Sequence, residues 1–262
     1  MLQQVATLFR YRLLIQSLVG RELKARYRGS ILGFFWSFAN PLLLLLTYGL
    51  ALTYMLPVQR SDGFKPYFVF LFCGLLPWTW FNSSLLEASG VLIAGGNLIK
   101  KVLFPAEVLP VVTVLTNLMH FVLGLPILFL FLLATGHVHL SFLLLPVPIV
   151  VQLVLTLGLA LFVSALTVHF RDIQNILGHI LQLCFFATPI IYPLVDVTNP
   201  RLKLILRCNP MTQVVVAYQG LLFHGELVNV RGLAIAGVVA VGLFALGAFL
   251  FERLRDTLAE EV

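Results

Sequence analysis

Enzymes and ion-coupled transporters that work inside a bilayer need ionisable side chains at the depth where their chemistry happens. This chain keeps almost none there. Glu87, Glu107 and Asp172 all fall near the ends of long apolar stretches. His120 is the one ionisable side chain deep within such a stretch, and a lone histidine in a helix bundle is commonly a hydrogen-bonded packing residue. His137 and His139 stand two apart at a turn with no third ligand nearby, so the case for a metal is weak. Cys73, Cys184 and Cys208 show no close pairing and no metal spacing; buried thiols are the expectation. Hydrolysis within the membrane would call for a nucleophile with an oriented base, or paired carboxylates, and the pattern offers neither. A phosphate-binding G-x-x-x-x-G-K-[ST] loop is absent from the sequence. If the chain serves an active process, the energy has to come from another polypeptide that grips it.

Two segments offer such a grip. In NLIKKVLFPAEVLP, Asn97 to Pro110, the apolar pair Leu98 and Ile99 precedes adjacent Lys100 and Lys101. Phe104 adds an aromatic ring, Pro105 forces a break, and Glu107 follows. A short helix here would insert apolar knobs into a partner while its charges pair at the rim. In HFRDIQN, Arg171 and Asp172 turn the chain between two apolar stretches. Ordinary topology anchoring also accounts for charges at these places.

The elements that position these residues are lipid-embedded helices. Of 262 residues, 60% are hydrophobic and 11% charged, and the mean hydropathy is +1.00; soluble domains carry about 25% charged residues. A basic run ends at Arg28 and no charge follows until Arg60. Charge-free intervals predict six transmembrane helices: 31–56, 67–88, two between Glu107 and Arg171 that turn near Thr135-Gly136-His137, one between Asp172 and Asp196, and one between Arg231 and Glu252. The predicted fold class is an all-α integral membrane protein. Eleven of the 17 Lys and Arg residues fall on the face that bears both termini, which makes that face cytosolic. The net charge of +6 reflects cytosolic loops facing anionic lipid. Nucleic acid is not expected, because the basic residues are not interleaved with exposed aromatics.

Residues 1–30 read as a cytosolic amphipathic interfacial helix rather than a signal peptide, preceding a six-span domain over 31–262. Leu2, Val5, Leu8 or Phe9, Ile15, Val19 and Leu23 recur at helical steps, with Arg21, Lys24 and Arg28 on another face. The helix would lie among lipid headgroups, or pack on a cytosolic partner, or both. Residues 196–231 hold a charge-free interval broken by Asn209-Pro210, Thr212, Gln213, Gln219 and Gly220. An outer re-entrant pair of short helices fits this pattern; a surface loop with an amphipathic helix is the alternative.

RYRGSILGFFWSFANPLL at 26–43, NLIKKVLFPAEVLP at 97–110, FRDIQNIL at 170–177 and NPMTQVVVAYQGLL at 209–222 resemble the permease subunit of bacterial ABC exporters for O-antigen polysaccharides and teichoic acids. The resemblance implies a homodimer bound to two copies of a separate ATPase subunit, which carries ATP and Mg; no cofactor is expected on this chain. It implies that a cytosolic segment of about 91–107, around Lys100, Lys101, Phe104 and Pro105, couples to the ATPase. It implies that Asn209 and Pro210 shape an exit on the outer side. The cargo would be a lipid-linked glycan leaving through the bacterial cytoplasmic (inner) membrane.

The 22 Phe, 7 Tyr and 3 Trp suit that reading, because a sliding polymer needs many weak contacts and no deep trap. Phe35, Trp36 and Phe38 near the inner mouth, and Tyr48, Tyr54 and Tyr192 further out, are the candidate channel residues; aromatic belts at the lipid interface are the alternative. Arg26 and Arg28 are candidates for a pyrophosphate headgroup, since Arg pairs bidentately with phosphate, or are topology anchors. Export of a small drug or lipid by the same fold, and a polyprenyl-sugar membrane enzyme, remain the rival functions.

Overall fold

A computed structural model describes residues 9–26, 28–31, 33–51, 66–96 and 105–261, with the backbone alone for Phe34, Ser37 and 255–261. The helices in chain order are α1 (Arg12–Arg26), α2 (Trp36–Leu50), α3 (Tyr67–Ala94), α4 (Val108–Ala134), α5 (Pro146–His169), α6 (Ile173–Phe186), α7 (Pro200–Cys208), α8 (Pro210–Gln219) and α9 (Val230–Glu261). Short 3-10 turns lie at Gly33–Phe35, Leu140–Leu144 and Leu194–Asp196, and a π turn at Gly220–His224. No strand occurs among the described residues.

Among the described residues four helices are long and apolar enough to cross a membrane: α3, α4, α5 with its leading turn (Leu140–His169), and α9 from Val230 to Leu254. Their 25–30 residues exceed the roughly 20 needed for a core of about 30 Å. α3 is the least apolar of the four, with mean hydropathy 1.4 against 2.1–2.5, and polar groups in a bilayer turn toward neighbouring helices. In its most apolar stretch 78% of residues are buried, against 28% in α4 and 33% in α9, so α3 is the axis and the others turn a face to lipid. The sharp turn after α4 comes where expected, with Gly136 at φ +76, a conformation glycine adopts without strain.

The interval expected to hold a fifth span is shorter than its charge-free length suggests. α6 has 14 residues and ends at Phe186. Pro189 lacks an amide hydrogen and disfavours helix at Thr188, and the Thr188 hydroxyl donates to the Cys184 carbonyl at 2.7 Å as the chain turns. α2 is likewise a shorter apolar helix, and residues 52–65, which the first predicted span enters, lie outside the described residues.

Burying apolar surface drives little association in lipid, whose tails are as apolar as leucine; close packing and hydrogen bonds hold the helices. α5 and α9 pack along much of their length because both carry glycine where they cross. A Cβ on Gly158 would lie 2.5 Å from the Phe244 backbone nitrogen, and one on Gly247 would overlap the Gly158 carbonyl oxygen. Buried Gln152 of α5 donates to the Pro77 carbonyl of α3 at 2.8 Å, placing a polar bond beside the proline inside that helix. α1 seats Ile15 and Leu18 on Val108, Val111 and Val112 of α4, so its apolar stripe is covered by this chain. Phe9 and Leu13 of the same segment stay exposed.

The stretch after α7 is among the most enclosed. Met211 to Val215 and Ala217 to Phe223 are buried, and the two glutamine amides there are tied down. Gln219 donates to the Pro189 carbonyl at 3.0 Å. Gln213 donates to the Arg207 carbonyl at 2.7 Å and accepts from Asn229 at 2.8 Å. The turn between α4 and α5 closes over this stretch: Ser141 donates to the Leu221 carbonyl at 2.8 Å, and the His137 ring stacks on Phe223 at 4.6 Å.

Candidate functional site

α2, α3, α4 and α6 line an open cavity of about 1050 Å³. Each helix gives it one face at helical spacing: Asn40, Leu43, Leu44, Thr47 and Tyr48 on α2, Leu75, Trp78, Thr79, Asn82, Ser83 and Leu86 on α3, and Gly178, Leu181, Gln182 and Phe185 on α6. Asn117, His120 and Phe121 enter from α4. The wall joins aromatic rings to uncharged polar groups. Tyr48 and Trp78 both meet Phe185, with centroids 5.4 and 5.7 Å apart, and Trp80 meets Phe121 at 5.2 Å. Asn40, Thr79, Asn82, Ser83 and Gln182 supply donors and acceptors between the rings. Such a surface suits a large solute with both C–H faces and hydroxyl groups, held by many weak contacts.

At one end the wall is charged. Arg26 closes α1, and its Nη2 donates to Glu87 Oε2 at 2.6 Å, while Nη1 donates to Asn117 Oδ1 at 3.2 Å. Asn117 Nδ2 donates to the same Glu87 oxygen at 2.8 Å and to the Thr113 carbonyl at 3.1 Å. Nearby, Trp36 Nε1 donates to the Ser30 hydroxyl at 3.0 Å, which fixes the ring beside the cavity.

Of the aromatic residues nominated from the sequence, Trp36 and Tyr48 line the cavity. Phe35, Phe38 and Tyr192 are not among its lining residues; Phe35 is exposed and the Tyr192 hydroxyl donates to the Phe186 carbonyl at 2.8 Å. Tyr54 lies outside the described residues. Arg26 lines the cavity and Arg28 is exposed apart from it. Of the coupling candidates, Leu98, Ile99, Lys100, Lys101 and Phe104 lie outside the described residues. Pro105 is buried, and Glu107 stands just before α4 with its Oε2 buried and without a hydrogen-bond partner among the described residues. Arg171 and Asp172 are exposed in the turn from α5 to α6.

Asn209 caps α8. Its Oδ1 accepts from the Met211 amide at 3.0 Å, its Nδ2 donates to Thr188 Oγ1 at 3.1 Å, and Pro210 takes the first helical position. Asn209→Ala removes both bonds. Loss of such a cap costs about 1 kcal/mol, so the melting temperature in detergent should fall by about 2–4 °C; an unchanged melting temperature would contradict the cap's role.

Sequence reasoning missed Trp78, Phe121 and Phe185, and the polar set Asn82, Ser83, Asn117 and Gln182. Uncharged polar residues inside otherwise apolar stretches carried the signal, as in FNSSLLE at 81–87, because such groups turn inward in a bilayer. Among the described residues no three His, Cys, Asp or Glu side chains gather as a metal site.

The ABC-2 type transporter family model matches residues 13–223. The chain is 40% identical over 264 aligned residues to the O-antigen export system permease protein RfbA of Myxococcus xanthus, covering 100% of both chains. Two proteins of the same name from Klebsiella pneumoniae are 30% and 31% identical over 249 residues, 94% of each chain.

Proposed function

The chain belongs to the ABC-2 type transporter family, and on that premise we propose that it is the transmembrane permease of an ATP-driven exporter. Its cargo would be a lipid-linked polysaccharide of the O-antigen or teichoic acid kind, crossing the cytoplasmic membrane. The observation that carries this reading is the cavity of about 1050 Å³, whose wall alternates rings with neutral polar groups. Sugar rings stack their C–H faces on aromatics and exchange hydrogen bonds with amides and hydroxyls, and the charges at the end of the cavity, Arg26 and Glu87, are paired with each other.

In this reading the chain has two parts: a cytosolic interfacial helix up to residue 30 and a permease domain over 31–262. α2 and α6 would complete six spans with both termini cytosolic, and residues 196–231, which include the buried residues Met211 to Val215 and Ala217 to Phe223, would be the outer re-entrant segment, since backbone of this kind is tolerated at membrane depth when protein covers it. Two copies would pair. The apolar faces of α2 (Leu42, Leu43, Leu46, Leu50) and α6 (Ile176, Ile180, Leu183, Phe186) are exposed on the helices that flank the cavity, and a second copy covering them would enclose the path. Each copy would take one ATPase subunit, which holds the nucleotide and Mg²⁺, on the segment between α3 and α4.

Mild-detergent purification tests the assembly: an ATP-hydrolysing subunit should come with the permease at equal stoichiometry, and a pure permease with no ATPase would sink the reading. The path has its own test. Asn82→Trp places a large ring in the cavity wall and should cut glycan export to about a tenth or less, equivalent to at least ~1.4 kcal/mol on the barrier, at unchanged membrane abundance. Parental export in that variant would remove the cavity from the path.

A further inference from the structure

Arg26 is the one Lys or Arg among the described residues that line the cavity, and it is already occupied. Glu87, Asn117 and Arg26 come from three different helices and close a ring: Arg26 binds both, and Asn117 binds the same carboxylate oxygen that Arg26 does. The Thr113 carbonyl holds the Asn117 amide in place. With its two donors on acceptors and its oxygen on the guanidinium, the amide has one consistent orientation.

Stability is a weak reason for this ring. The Arg26 and Glu87 side chains are 30% and 39% exposed, and ion pairs this open to solvent contribute little. Chemistry is a better reason. A guanidinium presents a fork that a phosphoryl group can fill on its own; here Glu87 takes Nη2 and the Asn117 oxygen takes Nη1, so Glu87 holds the charged half of the place an anionic ligand would bind. Resting on the reading of the cavity as an export path, we propose that Glu87, steadied by Asn117, is an internal anion that a phosphoryl headgroup must displace from Arg26 to enter. Glu87 thereby sets a charge threshold. A headgroup with one negative charge only matches the carboxylate it would replace, whereas a phosphomonoester, at about −1.5 to −2 near neutral pH, outcompetes it. Glu87 is then a specificity-determining residue that rejects ordinary singly charged and zwitterionic lipids.

The test uses the purified permease–ATPase complex and follows its melting temperature as lipid is titrated, so that binding is read apart from transport. The probes are mixed micelles of phosphatidylcholine doped with phosphatidic acid or with phosphatidylglycerol, and free inorganic pyrophosphate. The parent should respond to phosphatidic acid and hardly to phosphatidylglycerol. Glu87→Gln, and Glu87→Ala as a second variant, should lower the half-saturating phosphatidylglycerol by about tenfold, equivalent to ~1.4 kcal/mol, and level the preference. Arg26→Gln should lose the response to both. Unchanged or weaker phosphatidylglycerol binding in both Glu87 variants would make the ring a structural brace and overturn the proposal. Free pyrophosphate acting as well as the doped lipid, at equal headgroup concentration, would overturn its lipid part. A complex that binds with this preference yet exports no glycan would sink the export reading and leave the anion site standing.

Discussion

Charge reversal at Lys100 and Lys101 is expected to abolish glycan export while the permease stays folded and in the membrane. The segment runs from Gly95, where α3 ends, to Pro105, just ahead of α4, and so joins the central helix to a helix of the cavity wall. A force applied to this connection reaches both walls at once. Turning two lysines into glutamates sets like charges against whatever acidic rim receives them, and like-charge contact across an interface costs several kcal/mol. Glycan on the cell surface should fall to background. ATP hydrolysis by the isolated ATPase subunit should be unaffected, and hydrolysis by the reconstituted complex should no longer respond to substrate. Immunoblotting of membranes checks that the variant accumulates. Full retained export in the double variant would disprove coupling through this segment.

The second large effect is expected at a place with no chemistry at all. Gly158→Leu puts a side chain where the Phe244 backbone already stands, with a Cβ 2.5 Å from its nitrogen and 2.6 Å from its Cα. Backbone cannot rotate away, so α5 and α9 must separate. Their separation strips contacts from Leu161, Ala165, Phe244, Ala248 and Phe251, which share one buried cluster. Overpacking alone costs about 1–3 kcal/mol, and loss of the shared cluster adds to it, so a total of at least ~3 kcal/mol is expected. The variant should aggregate or melt far below the parent when gel filtration and thermal unfolding are run in the same detergent. Gly242→Leu is the control. It lies on α9 with nothing within 4 Å and should behave as the parent does. A stable Gly158→Leu protein would show that the crossing is not close-packed in the membrane.

Charge-free intervals located α3, α4, α5 and α9 well, because a hydrocarbon slab penalises every ionised group inside it and leaves the boundaries visible in the sequence. The turn at Thr135-Gly136-His137 was readable for a local reason, since glycine provides the φ the turn requires. α6 is shorter than its charge-free interval because Pro189 acts through backbone geometry, which charge counting does not register. The cavity was half legible. Trp36 and Tyr48 stand out by residue type, but Phe185 and Trp78 become wall residues only when α6 and α3 meet. The bond between Arg26 and Glu87 spans 61 positions and leaves no periodic trace. The docking of α1 was also hidden, since Ile15 and Leu18 look the same whether lipid, a partner or α4 covers them.

Stiffness is unevenly shared in this bundle. The glycine crossing welds α5 and α9 into a strut whose halves cannot slide without backbone collision. α2, by contrast, buries Leu45 alone among its described side chains and touches α3 and α4 only sparsely. Mechanical work put into such a frame deforms its most compliant member, so conformational strain collects in α2 while the strut keeps its shape. α2 is one of the four helices that line the cavity and the strut is not, so the width of the cavity follows the soft member of the frame.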